Sequence, residues 1–244
     1  MATVGRDFET YAHWLDGLGI TRDGLREIAD AYTAQAYITT DLDDNQIIAF
    51  HPGAMNHAHT QPVSAAGVKI GTVSPDGREG MLLHARQFAE AGIPFLFDPG
   101  QGLPMFDGAE LRAFIEQASW VAVNDYESEM LMERTGWTLK QIAQRVDALI
   151  VTRGGKGSQI LTGDRILDIP CARATALADP TGCGDAYRGG LLYGLLNELD
   201  WETTGRIASL MGAIKIERPG PQNHSTDLDR FRARYVEEFR RQAW

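Results

Sequence analysis

Phe8, Tyr11, Trp14, Leu15 and Leu18 recur at helical spacing and stop at Gly19, which predicts a helix almost at the start of the chain. Residues 34–40 and 46–51 read as two strands, and the acidic stretch 41–45 between them predicts a hairpin. The texture then changes. Short apolar strands at 68–73, 93–97, 120–123 and 148–152 alternate with helical stretches at 80–91, 109–118, 125–135 and 139–147. A second hairpin, 158–169, turns at Gly163-Asp164, and the remainder is helical at 184–196, 202–216 and 227–241. This alternation predicts an α/β fold, a mainly parallel sheet flanked by helices. A single domain over 1–244 is the simplest organisation, with 34–54 as a partial β lid within it. Ligands of such sheets gather beyond the carboxyl ends of the strands, and Asp98, Asn124 and Thr152 stand at such ends.

The strongest local signal is Asp179-Pro180-Thr181-Gly182-Cys183-Gly184-Asp185, which runs straight into a helix. A glycine loop at a helix start offers backbone N–H groups and the positive end of the helix dipole to an anion such as phosphate. A carboxylate there would repel phosphate. Asp185 makes sense in that place as the acceptor of a proton from an attacking hydroxyl, although an ordinary helix start also favours Asp. Arg188 follows within reach of a transferring phosphoryl group, the plainer alternative being an exposed helix surface residue.

Composition narrows the partners. The chain has 23 basic and 33 acidic residues and a net charge of −10, which argues against a nucleic-acid partner held through phosphates. No run of 18 apolar residues predicts a membrane span, and residues 1–10 do not resemble a signal peptide, so the cytoplasm is the expected location. Cys171 and Cys183 are too few for a disulfide framework. His57-x-His59, with His51 nearby, lacks the further ligands of a metal site and reads as a solvated loop.

The run Asp179–Asp185, followed by Ala186-Tyr187-Arg188-Gly189, resembles the C-terminal signature of the ribokinase-like (PfkB) kinases, with Pro180 and Cys183 as departures from its usual Thr and Ala. Asn124-Asp125-Tyr126-Glu127 is similar to the family's Asn-x-x-Glu motif, which helps to place magnesium. Alone it would read as a capped helix start. Thr152-Arg153-Gly154-Gly155-Lys156-Gly157 resembles the family's nucleotide loop and is not a Walker A loop. Pro219-Gly220-Pro221-Gln222-Asn223 resembles the loop that borders the nucleotide and, in many members, a potassium ion. The hairpin 34–51 resembles part of the family's lid. Asp41-Leu42-Asp43-Asp44-Asn45-Gln46, Asp98-Pro99-Gly100-Gln101-Gly102 and Gly220-Pro221-Gln222-Asn223-His224 are closest in phrasing to bacterial adenosine-kinase-like members.

The resemblance implies a ribokinase-like fold and an ATP-dependent kinase acting on a primary hydroxyl of a nucleoside or sugar, adenosine first. A ribose-type sugar kinase and a non-catalytic nucleotide-binding protein are the alternatives. It implies Asp185 as general base, and backbone N–H groups of Gly182, Cys183 and Gly184 around the transferred phosphoryl group. Thr152, Gly154, Gly157, Gln222 and Asn223 would line the ATP site. Asn124 and Glu127 would hold Mg²⁺ partly through water, with K⁺ a further cofactor to consider and a homodimer one assembly to consider. Members of the family usually begin with a strand bearing a substrate-binding Asp and a glycine-rich segment. The match here starts only at Gly5-x-Asp7, so about two βα units, at ~30 residues each, are expected to be absent from the front.

Overall fold

The computed structural model describes residues 1–40 and 46–244. The acidic turn expected at 41–45 lies outside the described residues. The chain divides into two compact units, 1–118 and 119–244. Among the described residues no helix is long and apolar enough to cross a membrane.

In the first unit, β1 (Ala2–Gly5) and β2 (Leu25–Ile28) pair in parallel on either side of α1 (Glu9–Gly17). These two strands escape the sequence reading, which runs residues 1–7 directly into a helix. Each has only four residues, and Leu-Arg-Glu-Ile has no period-2 pattern. β3 (Gln35–Thr40) and β4 (Gln46–His51) pair antiparallel, with Gln35 opposite His51. A 3₁₀ turn over Gly53–Thr60 follows, with Ala54 and Ala58 fully buried. The Thr3 hydroxyl donates to Ala54 O at 2.7 Å and ties this turn to β1.

β5 (Gly71–Val73) pairs in parallel with β6 (Phe95–Phe97) across α2 (Arg78–Glu90). Both strands are shorter than expected. Val68 N–H turns back to Ala65 O at 3.3 Å, and Ile93 N–H closes the end of α2 on Phe88 O at 2.9 Å. Glycine is required at Gly80, where a Cβ would stand 2.5 Å from the Ala58 Cβ. The β6 side chains are buried, and Phe97 stacks on Phe114 of α3 (Gly108–Gln117) at 4.5 Å between ring centroids. Each such buried phenyl ring contributes about 1.5–3 kcal/mol.

In the second unit, β7 (Trp120–Asn124) and β8 (Ala148–Thr152) pair in parallel, and their register sets Asn124 beside Thr152. β9 (Ser158–Thr162) and β10 (Arg165–Ile169) extend the sheet antiparallel. α4 (Asp125–Thr135) and α5 (Leu139–Ala143) lie between β7 and β8 in sequence. α5 stops four residues before the expected 147, because Arg145 N–H turns back to Ile142 O at 2.9 Å. The guanidinium of Arg145 then covers the Trp137 ring at 4.0 Å.

α6 (Cys183–Leu196) and α7 (Trp201–Ile216) pack face to face. A Cβ on Gly190 would stand 2.5 Å from Ala208 Cα, and one on Gly194 would strike Thr204. The i, i+4 glycine pair is what allows the two backbones to approach. α8 (Leu228–Phe239) buries Phe231 and Tyr235 against Ile207, Leu210 and Ile214, and Trp244 closes that cluster by donating Nε1–H to the Tyr193 hydroxyl at 3.0 Å.

Candidate active site

The 152–157 turn, the glycine loop at 179–185 and the loop at 219–223 all lie within the second unit. Gly182 caps α6 with φ +83°, a left-handed conformation suited to glycine. Side-chain space is closed there as well, since a Cβ would stand 3.0 Å from Pro221 O. The loop at 219–223 therefore lies directly against Gly182. The first intrahelical bond is Ala186 N–H to Gly182 O at 2.9 Å, so the amides of Gly184 and Asp185 precede the helical ladder and sit at its positive end. Cys183 N–H, expected among the amides facing the phosphoryl group, instead donates to Pro180 O at 3.1 Å. Asp185 stands exposed in the first turn of α6. Arg188, half-buried, reaches back along the helix: its Nη1 lies 3.3 Å from the point a Gly184 Cβ would occupy.

Asp179 organises the loop. Its carboxylate accepts from Thr181 N–H at 2.8 Å and from Gly220 N–H at 2.7 Å, and its carbonyl accepts from Lys215 Nζ at 2.7 Å. The Thr181 amide first, then the Thr181 hydroxyl and the Gly220 amide, hold the carboxyl down at about 2. Asp179 is thus an ionised strut that joins two loops 41 residues apart in sequence.

A cavity of about 360 Å³ opens against this structure. Of the expected nucleotide-site residues it is lined by Thr152, Gly154 and Gly157, and of those expected around the phosphoryl group by Cys183 and Gly184 but not Gly182 or Asp185. Gly154 and Gly157 have φ of +54° and +81°, and a Cβ on Gly157 would collide with Ile169 O. Gln222 and Asn223 are exposed on the neighbouring loop and do not line the cavity. The Asn223 amide folds back instead and donates to Pro219 O at 3.0 Å.

The opposite wall was not legible in the sequence. It consists of Ala172, Ala174, Leu177 and, from α7, Ala213 and Ile216, a largely apolar surface. Leu177 is 82% exposed. Ser209 holds this wall in place by accepting from Ala172 N–H and donating to Pro170 O, both at 2.8 Å. Tyr187, also at the cavity, is buried and bonded to the Ser158 hydroxyl at 2.7 Å, and burial pushes its phenol up to about 12.

Asn124 and Glu127 form a reciprocal helix cap. Glu127 N–H donates to Asn124 Oδ1 at 2.7 Å, and Asn124 N–H donates to Glu127 Oε2 at 2.8 Å. Among the described residues no group of three or more His, Cys, Asp or Glu side chains is placed to hold a metal. This donor set fits a hydrated Mg²⁺ held through water and phosphate oxygens, and does not fit an all-protein cage.

A glycine turn, a helix start and an apolar slot share one cavity in this α/β protein. The chain belongs to the pfkB family of carbohydrate kinases, whose model matches residues 1–228. It is a phosphotransferase of the nucleoside and sugar kinase class, with the ribokinase-like fold. The nucleoside kinase of Methanocaldococcus jannaschii is 33% identical over 232 residues, covering 94% of this chain and 76% of that protein. The nucleoside kinase of Burkholderia thailandensis in complex with inosine superposes with a TM-score of 0.96 at 50% identity, covering 99% of this chain and 80% of that one. Its complex with ADP and inosine gives 0.95, also at 50% identity, covering 100% and 77%.

Proposed function

We propose that this chain transfers the γ-phosphoryl group of ATP to the primary hydroxyl of a purine nucleoside, with adenosine and inosine the first acceptors to test. The observation that carries the reading is the single cavity shared by the Thr152–Gly157 turn, the start of α6 and an apolar wall. Its shape suits an adenine ring between apolar surfaces and a polyphosphate running toward the helix start. The inosine and ADP complexes of the Burkholderia relative, half identical in sequence, support the same assignment.

In this reading Asp185 takes the proton of the attacking hydroxyl. The amides of Gly182 and Gly184 and the guanidinium of Arg188 stabilise charge on the transferred group. Cys183 N–H joins them by exchanging its bond to Pro180 O for one to phosphate. Asn124 and Glu127 would hold Mg²⁺ through water, and the ion supplies neutralisation of the phosphate oxygens. Thr152, Gly154 and Gly157 shape the nucleotide end, with Gln222 and Asn223 at its rim. The exposed ribbon of β3 and β4 presents Tyr37, Ile47 and Phe50 to solvent, which favours a second copy of the chain as its partner. The cytoplasm, where ATP is abundant, is the compartment this chemistry suits.

A coupled ADP-release assay with adenosine, inosine, ribose and fructose tests the proposal. ADP release with the nucleosides alone is the expected result. Release with ribose or fructose in preference would replace it with a sugar kinase.

A further inference from the structure

Lys215 is fully buried in the last turn of α7, with 0% of its surface exposed. Its ammonium donates to Asp179 O at 2.7 Å and to Arg218 O at 3.3 Å. A buried, unpaired ammonium would be costly, and here it is offset by carbonyl dipoles, the ionised Asp179 and the negative end of α7. The same helix end receives the incoming loop: Ala178 N–H and Asp179 N–H both donate to Ile216 O, at 2.8 and 3.2 Å. Two carbonyls from two loops thus converge on one cation. One loop leads into Gly182–Asp185, and the other leads into 219–223, against which Gly182 packs. Lys215 does not itself line the nucleotide cavity.

We propose that Lys215 is a positioning residue that supplies, from within the chain, the cation for which the family resemblance leaves room for K⁺. Resting on the kinase reading above, the proposal deepens it: the site needs no dissociable monovalent ion, because a tethered ammonium already bridges the loops that shape the phosphate end. The Lys215 ammonium already occupies the space in front of Asp179 O and Arg218 O, where a free K⁺ would have to displace it.

The test compares the full chain and its Lys215→Met variant in potassium chloride and in tetramethylammonium chloride, reading ADP release and, separately, ADP affinity by calorimetry. The wild-type chain is expected to behave alike in the two salts. Lys215→Met is expected to lose about tenfold or more in turnover, the scale of a lost hydrogen-bonded charge. Part of that loss should return with K⁺ but not with tetramethylammonium, a gain of cation dependence that a merely structural lysine would not produce. Lys215→Arg, which keeps a donor cation, should remain independent of the salt. A wild-type requirement for K⁺ would overturn the proposal without any variant, so poor folding of Lys215→Met leaves it open to refutation. Wild-type turnover and ADP affinity in a folded Lys215→Met would overturn it too. Failure of the wild-type chain to release ADP with any acceptor counts against the kinase reading alone, and ADP affinity in the two salts then decides the role of the lysine.

Discussion

The loop cluster around Asp179 and the ribbon of β3 and β4 solve opposite problems with similar lengths of chain. In the cluster, nearly every polar group of Asp179 is engaged, by Thr181, Gly220 and Lys215, and glycines stand where backbones touch. In the ribbon, Tyr37, Ile38, Ile47, Ile48 and Phe50 are all exposed. A segment tied down by crossing hydrogen bonds can hold amides aimed at a transition state. A two-stranded ribbon with apolar side chains in solvent has little intrinsic stability and is suited to covering something or being covered. The contrast teaches that the proposed chemistry falls where the backbone is over-determined.

The largest effect expected from the cluster is chemical. Asp185→Asn should lower turnover by about 10²-fold or more while ADP affinity measured by calorimetry stays close to that of the parent. Near-normal turnover would remove Asp185 from the reaction. Next comes packing beneath the cluster. Gly190→Val forces a side chain into Ala208 and should cost about 1–3 kcal/mol or more in urea unfolding. Tyr187→Phe leaves the Ser158 hydroxyl without its buried partner and should cost about 1 kcal/mol, read the same way. In the ribbon, Ile47→Glu should move stability by no more than about 0.5 kcal/mol. If the ribbon is a contact between copies, the same substitution should shift the mass measured by sedimentation. A large loss of stability in that variant would erase the contrast between the two regions.

Acid sharpens the comparison further. Asp179 is held at about 2, below the ordinary 3.8, by the Thr181 and Gly220 amides. Burial raises Glu217, but the bidentate Arg234 guanidinium, at 2.6 and 2.9 Å, and the Thr175 amide overcome it and hold it at about 2, below the ordinary 4.5. A depressed folded value stabilises the fold above the unfolded value and is lost as pH falls through the folded one. Stability from these two carboxylates should therefore be complete above about pH 4.5 and should fall steadily toward pH 2. A urea midpoint that is flat across that interval would show that the two struts carry no net stability.

The alternation of short apolar strands and helices was enough to read the α/β class, because strands of a covered parallel sheet must be apolar throughout. The glycine signature before α6 was legible for a related reason: a left-handed turn packed against a second loop needs glycine, as at Gly182 against Pro221. β1 and β2 were not, since strands of four residues without alternating burial carry too little pattern. Gln222 and Asn223, expected at the nucleotide, do not line the cavity, and the turn spends the Asn223 amide on Pro219 O. Asn124 and Glu127 illustrate a motif that local sequence cannot divide between a helix cap and an ion site, since the cap uses the same atoms.

What the sequence determined alone was therefore local: most of the segments that form helices and strands, the glycine turn that opens α6, and the carboxylate of Asp185 beside it. Only the tertiary structure decided what surrounds that point. Lys215 meets Asp179 across 36 residues, and Tyr187 meets Ser158 across 29. Neither meeting leaves a trace in periodicity, because a buried lysine and a core tyrosine look along the chain like any residue of a helix. Burial and partnership are properties of packing, and packing brings together positions that the sequence keeps apart.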